Sequence, residues 1–235
     1  MRKAKSLLLA LAGAASLSAA HAAEGDPKLV RMEEIVVGEK ADGVCNFHTV
    51  DHVVAPTKGT DLWFIEAGAK RIGKLDLRNG AVSKYDLPKV EPVNYTTDSI
   101  ATLPGNDAGH GPCDMILDPQ GKLWFNYQAA NAVGYLDPAA PETMKLVTFP
   151  SPTSLPMALQ MGGDGNLWVE LTAVDKVARI DTKTGKVKEF TIGPKGSGVI
   201  GGAPSRKGDA HWFILMNTNK LVRYQYKTGK MGTFV

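Results

Sequence analysis

The sequence predicts an all-β protein built from one repeated unit of four short strands. Four tryptophans stand at positions 63, 124, 168 and 212, and the intervals from 124 to 168 and from 168 to 212 are both 44 residues. The interval from 63 to 124 is 61 residues, which exceeds that period by 17. A fixed period of this length indicates a repeat architecture.

The residues around each tryptophan keep the same order, so the spacing is not a coincidence of composition. A leucine precedes three of the four tryptophans, phenylalanine or valine follows all four, and an aspartate recurs thirteen residues downstream. These positions are Leu62, Leu123 and Leu167; Phe64, Phe125, Val169 and Phe213; and Asp76, Asp137 and Asp181.

Each period is composed of strands. In residues 164–192 the runs LWVE, KVARID and VKEFTI are short and rich in β-branched and aromatic residues, and Asp-Gly-Asn and Thr-Gly-Lys turns separate them. The preceding run MALQM supplies a fourth strand. Four antiparallel strands in about 40–50 residues form the blade of a β-propeller, whereas helix-pair repeats need longer apolar segments.

The first 22 residues have the pattern of a secretory signal peptide. Arg2, Lys3 and Lys5 precede an apolar stretch from Leu7 to Leu17, and Ala20-His21-Ala22 is a small-residue cleavage site. The apolar stretch is too short to span a bilayer. We therefore expect a periplasmic or secreted mature chain that begins at about Ala23.

The charge balance argues against nucleic acid and anionic lipid as partners. The chain has 27 basic and 24 acidic residues, and three of the basic residues lie in the leader. The mature chain is then formally neutral and has no basic run that could bind phosphates. A small molecule or a protein is the expected partner.

The mature chain, 23–235, divides into repeats with one insertion. An array of about four to five blades either closes into a ring by itself or pairs with a second copy as a homodimer, since an open end exposes a strand edge. The predicted blades span about 44–88, 110–150, 155–193 and 199–235, and the Pro-, Asn- and Gly-rich segment 89–109 forms a loop between the first two.

Propeller geometry predicts where polar groups gather. Because neighbouring strands run in opposite directions, the start of a blade's first strand and the end of its second strand lie on the same rim, beside the channel. The 89–109 loop joins that rim. The rim candidates are His48, His110, Cys45, Cys113 and Asp114 before first strands, and Glu66, Asn126, Tyr127 and Glu170 at the ends of second strands.

These residues also have structural interpretations. A carboxylate there can pair with a lysine such as Lys70 or Lys176, and a rim histidine can serve only as a hydrogen-bonding group. The tryptophans are expected to form apolar layers between blades. Cys45 and Cys113 form either a disulfide or two free thiols.

The repeats resemble the blade of the virginiamycin B lyase (streptogramin lyase) family. That blade reads DG-x-LWFTE-x₄-NKIGRID-x-TG-x-V-x-EY, and the matching units here are GKLWFNYQAANAVGYLDP, GNLWVELTAVDKVARIDTKTGKVKEF and DLWFIEAGAKRIGKLDLRNGAVSKYDLP. His110-Gly111-Pro112-Cys113-Asp114 resembles the start of the family's inner strands. The likeness covers about residues 44–235.

The resemblance implies a seven-bladed propeller and a Mg²⁺-dependent lyase that opens a cyclic depsipeptide ester by elimination. Such chemistry needs a base, an acid near the leaving oxygen and a group that stabilises negative charge. By this resemblance Glu66 and Glu170 are candidate Mg²⁺ ligands. His110 and His48 are candidates for proton transfer, and we expect Asp114, Asn126 and Tyr127 to contact the substrate.

A non-catalytic propeller is the alternative function. The family's site pairs a glutamate with a histidine two residues later, and no Glu-x-His sequence occurs in this chain. A propeller without that pair could bind a small molecule or a protein at the rim, using the 89–109 loop.

Overall fold

The computed structural model describes residues 36–37, the backbone of Val44–Thr49, residues 61–93, Tyr95 and residues 112–235. All of these belong to one compact unit, Val36–Val235. The predicted leader and His110 lie outside the described residues, as do the side chains of His48 and Cys45. The choice between a Cys45–Cys113 disulfide and two free thiols therefore lies outside the described residues.

Sixteen strands occur in the described ranges, and they form four antiparallel sheets of four consecutive strands each. The first sheet contains β1 Val44–Thr49, β2 Asp61–Glu66, β3 Arg71–Asp76 and β4 Val82–Asp86, and the second contains β5 Met115–Leu117, β6 Leu123–Tyr127, β7 Ala132–Asp137 and β8 Ala140–Thr148. The third contains β9 Pro156–Met161, β10 Leu167–Leu171, β11 Lys176–Ile180 and β12 Val187–Thr191, and the fourth contains β13 Val199–Pro204, β14 Ala210–Leu215, β15 Lys220–Gln225 and β16 Met231–Phe234.

The arrangement is that of a β-propeller, which confirms the predicted fold class. Strand β5 contacts β1, β9 contacts β5, and β13 contacts β9, so the first strands of consecutive sheets line one axis. Each sheet lies inside one of the sequence periods. The helical segments that the structure describes are three-residue 3₁₀ turns after β6, β10 and β14, and none has the length or apolar character to cross a membrane.

Each sheet has two faces that pack differently. Side chains alternate along a strand, so in β6 Trp124 points to one face and Phe125 to the other. Trp124 packs with Leu167 and Val169 of the third sheet, and Phe125 packs with Trp63 of the first. We call the tryptophan side the front face and the other side the back face. The front of each of the first three sheets packs on the back of the next.

The tryptophans fill these interfaces, as the sequence predicts. Trp63, Trp124 and Trp168 are each 0% exposed. Trp168 packs with Phe213 and Leu215 of the fourth sheet. An aromatic side chain of this kind buries roughly 150–250 Å², which contributes about 4–6 kcal/mol at about 25 cal/mol per Å² before conformational entropy is subtracted.

A second repeated position, seven residues after each tryptophan, was not recognised from the sequence. The residue there has a left-handed backbone in all four described sheets, a conformation that Asn and Asp tolerate best. In two sheets its side chain also holds the loop that leads into the next sheet. Asn131 accepts a hydrogen bond from Ser154 N at 2.8 Å, and Asp175 accepts one from Gly198 N at 2.9 Å. The four residues are Lys70, Asn131, Asp175 and Asn219, with φ between 49° and 56°.

In the first two sheets, a phenylalanine ring on the back face lies over a glycine of the neighbouring strand. Phe125 and Gly134 are cross-strand partners, and a Cβ on Gly134 would lie 2.2 Å from the Phe125 ring. The first sheet repeats this with Phe64 and Gly73. In the third sheet the position of the phenylalanine carries the smaller Val169, and the position of the glycine carries the larger Ala178.

We expect Gly134→Ala to lower the free energy of unfolding by about 1–3 kcal/mol, because the added methyl group overlaps a buried ring. Adding Phe125→Val to that variant should recover part of the loss, since the pair then matches Val169 and Ala178. Urea unfolding of the two single variants and the double variant measures the coupling free energy.

Gly232→Ala is the matched control, because a Cβ there meets Phe234 at an ordinary 3.4 Å. An equal loss of stability at both glycines, or no coupling between Phe125 and Gly134, would contradict the ring-over-glycine explanation.

Candidate functional site

The starts of first strands and the ends of second strands lie together, at what we call the first-strand rim. Asn126, near the end of β6, shows this arrangement within one sheet. Its Oδ1 accepts hydrogen bonds from the backbone N–H groups of Cys113 at 2.7 Å and Asp114 at 2.9 Å, just before β5. The rim comprises the starts of first strands, residues 112–115, 156–158 and 199–201, and the ends of second strands, residues 126–127 and 170–171.

The amide of Asn126 also joins two sheets. Its Nδ2 donates to the carbonyl oxygens of Pro156 at 3.2 Å and Met157 at 2.9 Å, at the start of β9. Asn126 is 1% exposed, so each of these polar contacts lies in the interior. An amide suits this position because it both accepts and donates hydrogen bonds. We conclude that Asn126 fixes the second sheet against the third.

Asp114 makes a second connection between the same sheets. Its Oδ2 accepts a hydrogen bond from Leu159 N in β9 at 2.7 Å. The carboxylate therefore lies within the wall of the channel, between two first strands. The sequence-predicted rim residues Asp114 and Asn126 are brought together by the structure.

Glu170 occupies the same repeat position in the third sheet, two residues after the tryptophan. Its Oε2 accepts a hydrogen bond from Gly201 N of the fourth sheet at 2.7 Å. The side chain is 0% exposed, and among the described residues Oε1 has no hydrogen-bond partner of ordinary geometry. Glu170 thus connects the third and fourth sheets as Asn126 connects the second and third.

Burial raises the pKa of Glu170 to about 7. The N–H of Gly201, the Gln160 amide and the N–H of Ala158 lower this pKa, and the negative charge of Asp114 raises it, but loss of solvation is the largest cause. A carboxyl group with this pKa is partly protonated at neutral pH. Among the described residues it is therefore a rim group whose charge responds to pH in the physiological range.

A buried polar chain continues from this region into the fourth sheet. His211 Nε2 lies 3.3 Å from Gln160 Oε1, and His211 Nδ1 lies 3.0 Å from the Tyr226 hydroxyl. His211 is 0% exposed, and burial lowers its pKa to about 4, so the imidazole is neutral at neutral pH. These contacts give His211 a structural role at the junction of the third and fourth sheets.

Glu66 lies in a different environment. It stands three residues after its tryptophan rather than two, so it points to the back face of the first sheet. Its Oε2 pairs with Arg71 Nε and its Oε1 with Lys84 Nζ, both at 2.8 Å. Two cations therefore balance the charge of this carboxylate.

The described residues do not fit a single magnesium site at Glu66 and Glu170. The two carboxylates lie in the first and third sheets, on opposite faces, and each has its own partners. Among the residues that the structure describes, no group of three or more His, Cys, Asp or Glu side chains lies together. Glu66 stands three residues after its tryptophan and Glu170 stands two residues after its own, so the two side chains point to opposite faces of their sheets.

Tyr127 fastens the insertion to the second sheet. It is 2% exposed, and its hydroxyl donates to the Pro88 carbonyl at 3.1 Å; burial raises its pKa. Val93 N donates to Ala129 O at 2.9 Å, and the Tyr95 hydroxyl donates to Gln128 O at 2.5 Å. The described beginning of the insertion therefore runs along the 3₁₀ turn after β6, at the rim.

Gln160 and Gly201 belong to this site although they were not recognised from the sequence. Gln160 stands opposite Trp168 in β9, and Gly201 offers its N–H to Glu170. Aligning the residue two positions after each tryptophan would have identified Asn126 and Glu170 as equivalents. The partners of such residues depend on how the sheets pack.

Four radially arranged antiparallel sheets with a polar first-strand rim define a β-propeller with its candidate site at one mouth of the channel. The sequence model of the virginiamycin B lyase family matches residues 95–235. This match covers more than half of the chain, and the chain therefore belongs to the virginiamycin B lyase family.

Relatives of known sequence or structure agree with this assignment. A virginiamycin B lyase from Nocardia farcinica (strain IFM 10152) is 26% identical over 188 residues, which are 80% of this chain and 54% of the relative. A streptogramin B lyase structure is 26% identical with a TM-score of 0.60, covering 77% of this chain and 52% of the other. A Staphylococcus aureus virginiamycin B lyase shares the fold at 24% identity and TM-score 0.60, covering 77% and 53%. The chain spans about half the length of these relatives.

We expect Glu170→Gln to flatten the dependence of unfolding free energy on pH. The pKa of Glu170 is about 7 when folded and near the ordinary 4.5 when unfolded. Between these values the folded state binds more protons, so the unfolding free energy of the wild type falls as pH rises. The full effect is about 3 kcal/mol. Urea unfolding at pH 5 and pH 8 measures it.

The exposed Glu142→Gln variant in β8 is the matched control. The lowered pKa of His211 acts in the opposite direction, because stability falls as pH drops below about 6.5, but it acts equally in all three proteins. Parallel pH profiles for the wild type and Glu170→Gln would contradict the assignment.

Proposed function

We propose that the protein is an exported carbon–oxygen lyase that opens a cyclic ester, such as a cyclic depsipeptide, by elimination at the first-strand rim. The family match over residues 95–235 carries the proposal, because this range contains His110 and the rim residues Asp114, Asn126 and Glu170. The relatives in that family are named as lyases of virginiamycin B and streptogramin B.

The elimination requires particular catalytic groups at the rim. A base removes a proton from carbon, the electron pair forms a C=C bond, and the neighbouring C–O bond breaks so that the carboxylate leaves. No water is consumed, and the ring-opened product has the mass of the substrate. The base must reach the carbon-bound proton, and hydrogen-bond donors or cations must stabilise the developing negative charge.

His110 is the residue that we assign to proton transfer, with His48 as a second candidate. An imidazole titrates near neutral pH, which suits a group that must accept and return a proton. His110 lies four residues before Asp114, whose carboxylate is bonded to Leu159 N at 2.7 Å. That anchor gives the segment after His110 a fixed attachment to the rim.

Asp114, Asn126 and Glu170 act as positioning residues in this proposal. Asn126 and Glu170 are 1% and 0% exposed, and each is hydrogen-bonded to the backbone of a neighbouring sheet. They hold the starts of β5, β9 and β13 in register. The rigidity of the channel mouth, rather than direct contact with the substrate, is their contribution.

The direct test is incubation of the purified protein with a type B streptogramin, followed by mass spectrometry and chromatography. We expect a linear product of unchanged mass. His110→Gln should lower the rate by about 100-fold or more, the usual contribution of a general acid or base. Glu142→Gln, on the exposed face of β8, should keep the wild-type rate.

A product one water heavier would indicate hydrolysis and contradict the elimination. If no product formed in the presence of Mg²⁺, this result would contradict the proposal for type B streptogramins. The resemblance implies Mg²⁺, which when bound would stabilise negative charge. Because Glu66 and Glu170 do not lie together to hold it, we assign no step to the metal, and EDTA treatment with Mg²⁺ addition tests the requirement separately.

Binding without turnover is the second candidate, and the anchored insertion favours it. Val93 and Tyr95 are hydrogen-bonded to the turn 128–130, so the described beginning of the insertion lies beside the rim. Equilibrium dialysis would then show capture of the intact antibiotic. Deleting residues 92–106 should abolish capture, and capture that survives the deletion would count against the rim as the binding surface.

A further inference from the structure

A series of hydrogen bonds crosses the interface between the third and fourth sheets. Gly163 N, in the turn between β9 and β10, donates to the Tyr226 hydroxyl at 3.2 Å, and this hydroxyl lies 3.0 Å from His211 Nδ1. His211 Nε2 lies 3.3 Å from Gln160 Oε1, and the Gln160 amide is hydrogen-bonded to the carboxyl group of Glu170. Because the β9–β10 turn follows the end of a first strand, the series begins opposite the first-strand rim and ends at a rim residue.

The direction of the first hydrogen bonds follows from the backbone donor. A backbone N–H group only donates, so the Tyr226 oxygen accepts from Gly163. This leaves the Tyr226 O–H to donate to His211 Nδ1, which makes Nδ1 the unprotonated nitrogen of the imidazole. With the other tautomer, the Tyr226 oxygen would receive two N–H groups, and its own hydrogen would have no acceptor within the series. The contacts therefore favour a proton on His211 Nε2.

The same tautomer fixes the side-chain amide of Gln160. His211 is neutral at neutral pH because burial lowers its pKa to about 4, so only one of its ring nitrogens donates. The Nε2–H group donates to Gln160 Oε1, and the Gln160 NH₂ group is thereby turned toward Glu170. An amide rotated by 180° would oppose one N–H group to another at His211 and would present an oxygen atom to the carboxylate.

The first strand of the fourth sheet leaves room for this arrangement. Gln160 is the cross-strand partner of Trp168, and Glu170 stands two residues after Trp168 on the same face. Gly201 N donates to Glu170 Oε2 at 2.7 Å, and a Cβ on Gly202 would lie 3.2 Å from Gln160 Oε1. The amide and the carboxyl group therefore lie against two successive glycines of β13.

We propose that Tyr226 and His211 are positioning residues that hold the Gln160 amide with its NH₂ group toward Glu170. The carboxyl group at the rim then accepts hydrogen bonds from the Gln160 amide and from Gly201 N, and the two donors together favour one orientation of its side chain. His211 stands near the start of β14 and Tyr226 directly after β15, both away from the rim. The orientation of a rim group is thus set by residues outside the rim. This assignment does not depend on the proposed lyase activity.

Nitrogen-15 NMR of the histidine-labelled protein tests the proposal at pH 8, with His211→Phe to identify the His211 signals. We expect the Nε2–H tautomer in at least about 10-fold excess, because two hydrogen bonds depend on it. Tyr226→Phe should shift the Nδ1 signal toward that of a nitrogen without a hydrogen bond. Tyr224→Phe is the matched control, since its ring also packs on Trp168 but its hydroxyl lies near Gly229.

A double-mutant cycle tests the direction of the Gln160 amide. At pH 8 Glu170 is mostly ionised, and an NH₂ group binds a carboxylate more strongly than it binds the neutral side chain of Glu170→Gln. Gln160→Met should therefore lower the folding equilibrium constant of the wild type about 10-fold more than that of Glu170→Gln, measured by urea unfolding. A cycle of opposite sign would show an oxygen atom facing the carboxylate and would overturn the proposal. The Nδ1–H tautomer in the wild type would do the same.

Discussion

The structure depends on burial of one indole ring between each pair of neighbouring sheets. A four-stranded sheet cannot cover its own front face, so Trp63, Trp124 and Trp168 reach 0% exposure only because the next sheet lies against them. This packing fixes the direction in which the array grows and brings the first strands to one axis. The polar rim and the left-handed residues Asn131 and Asp175, which hold the loops into the next sheets, are consequences of that repeated contact.

The residue two positions after each tryptophan determines whether an interface contains a buried polar group. Ile65 keeps the first interface apolar, Asn126 places an amide in the second, and Glu170 places a carboxyl in the third. A buried polar group is tolerated only when its hydrogen bonds are made. Asn126 satisfies this with four backbone contacts, whereas among the described residues Glu170 has one short contact, from Gly201 N to Oε2. The pKa of Glu170 is raised chiefly because the buried carboxyl loses its solvation.

The blade pattern was predictable from the sequence because it rests on local features: the spacing of Trp124, Trp168 and Trp212, and the turns between short β-branched runs. The rim was predictable in part, since antiparallel strands must bring Asp114 and Asn126 together. The faces to which Glu66 and Glu170 point could not be aligned from the blade motif alone, because a one-residue offset changes the face of a strand. The partners of Glu170 could not be read from sequence, since Gly201 is reached only through sheet packing.

The three interfaces therefore differ in how they respond to pH. Ile65 and Asn126 do not titrate, so in the first two interfaces the residue two positions after the tryptophan keeps its charge state at every pH. At the third interface Glu170, with its pKa of about 7, becomes charged while it is buried, and its ionisation costs stability as pH rises. The hydrogen bond from Gly201 N to Oε2 becomes stronger on ionisation and offsets part of that cost. The interface between the third and fourth sheets thus contains a buried carboxyl group at the rim whose charge depends on the proton concentration.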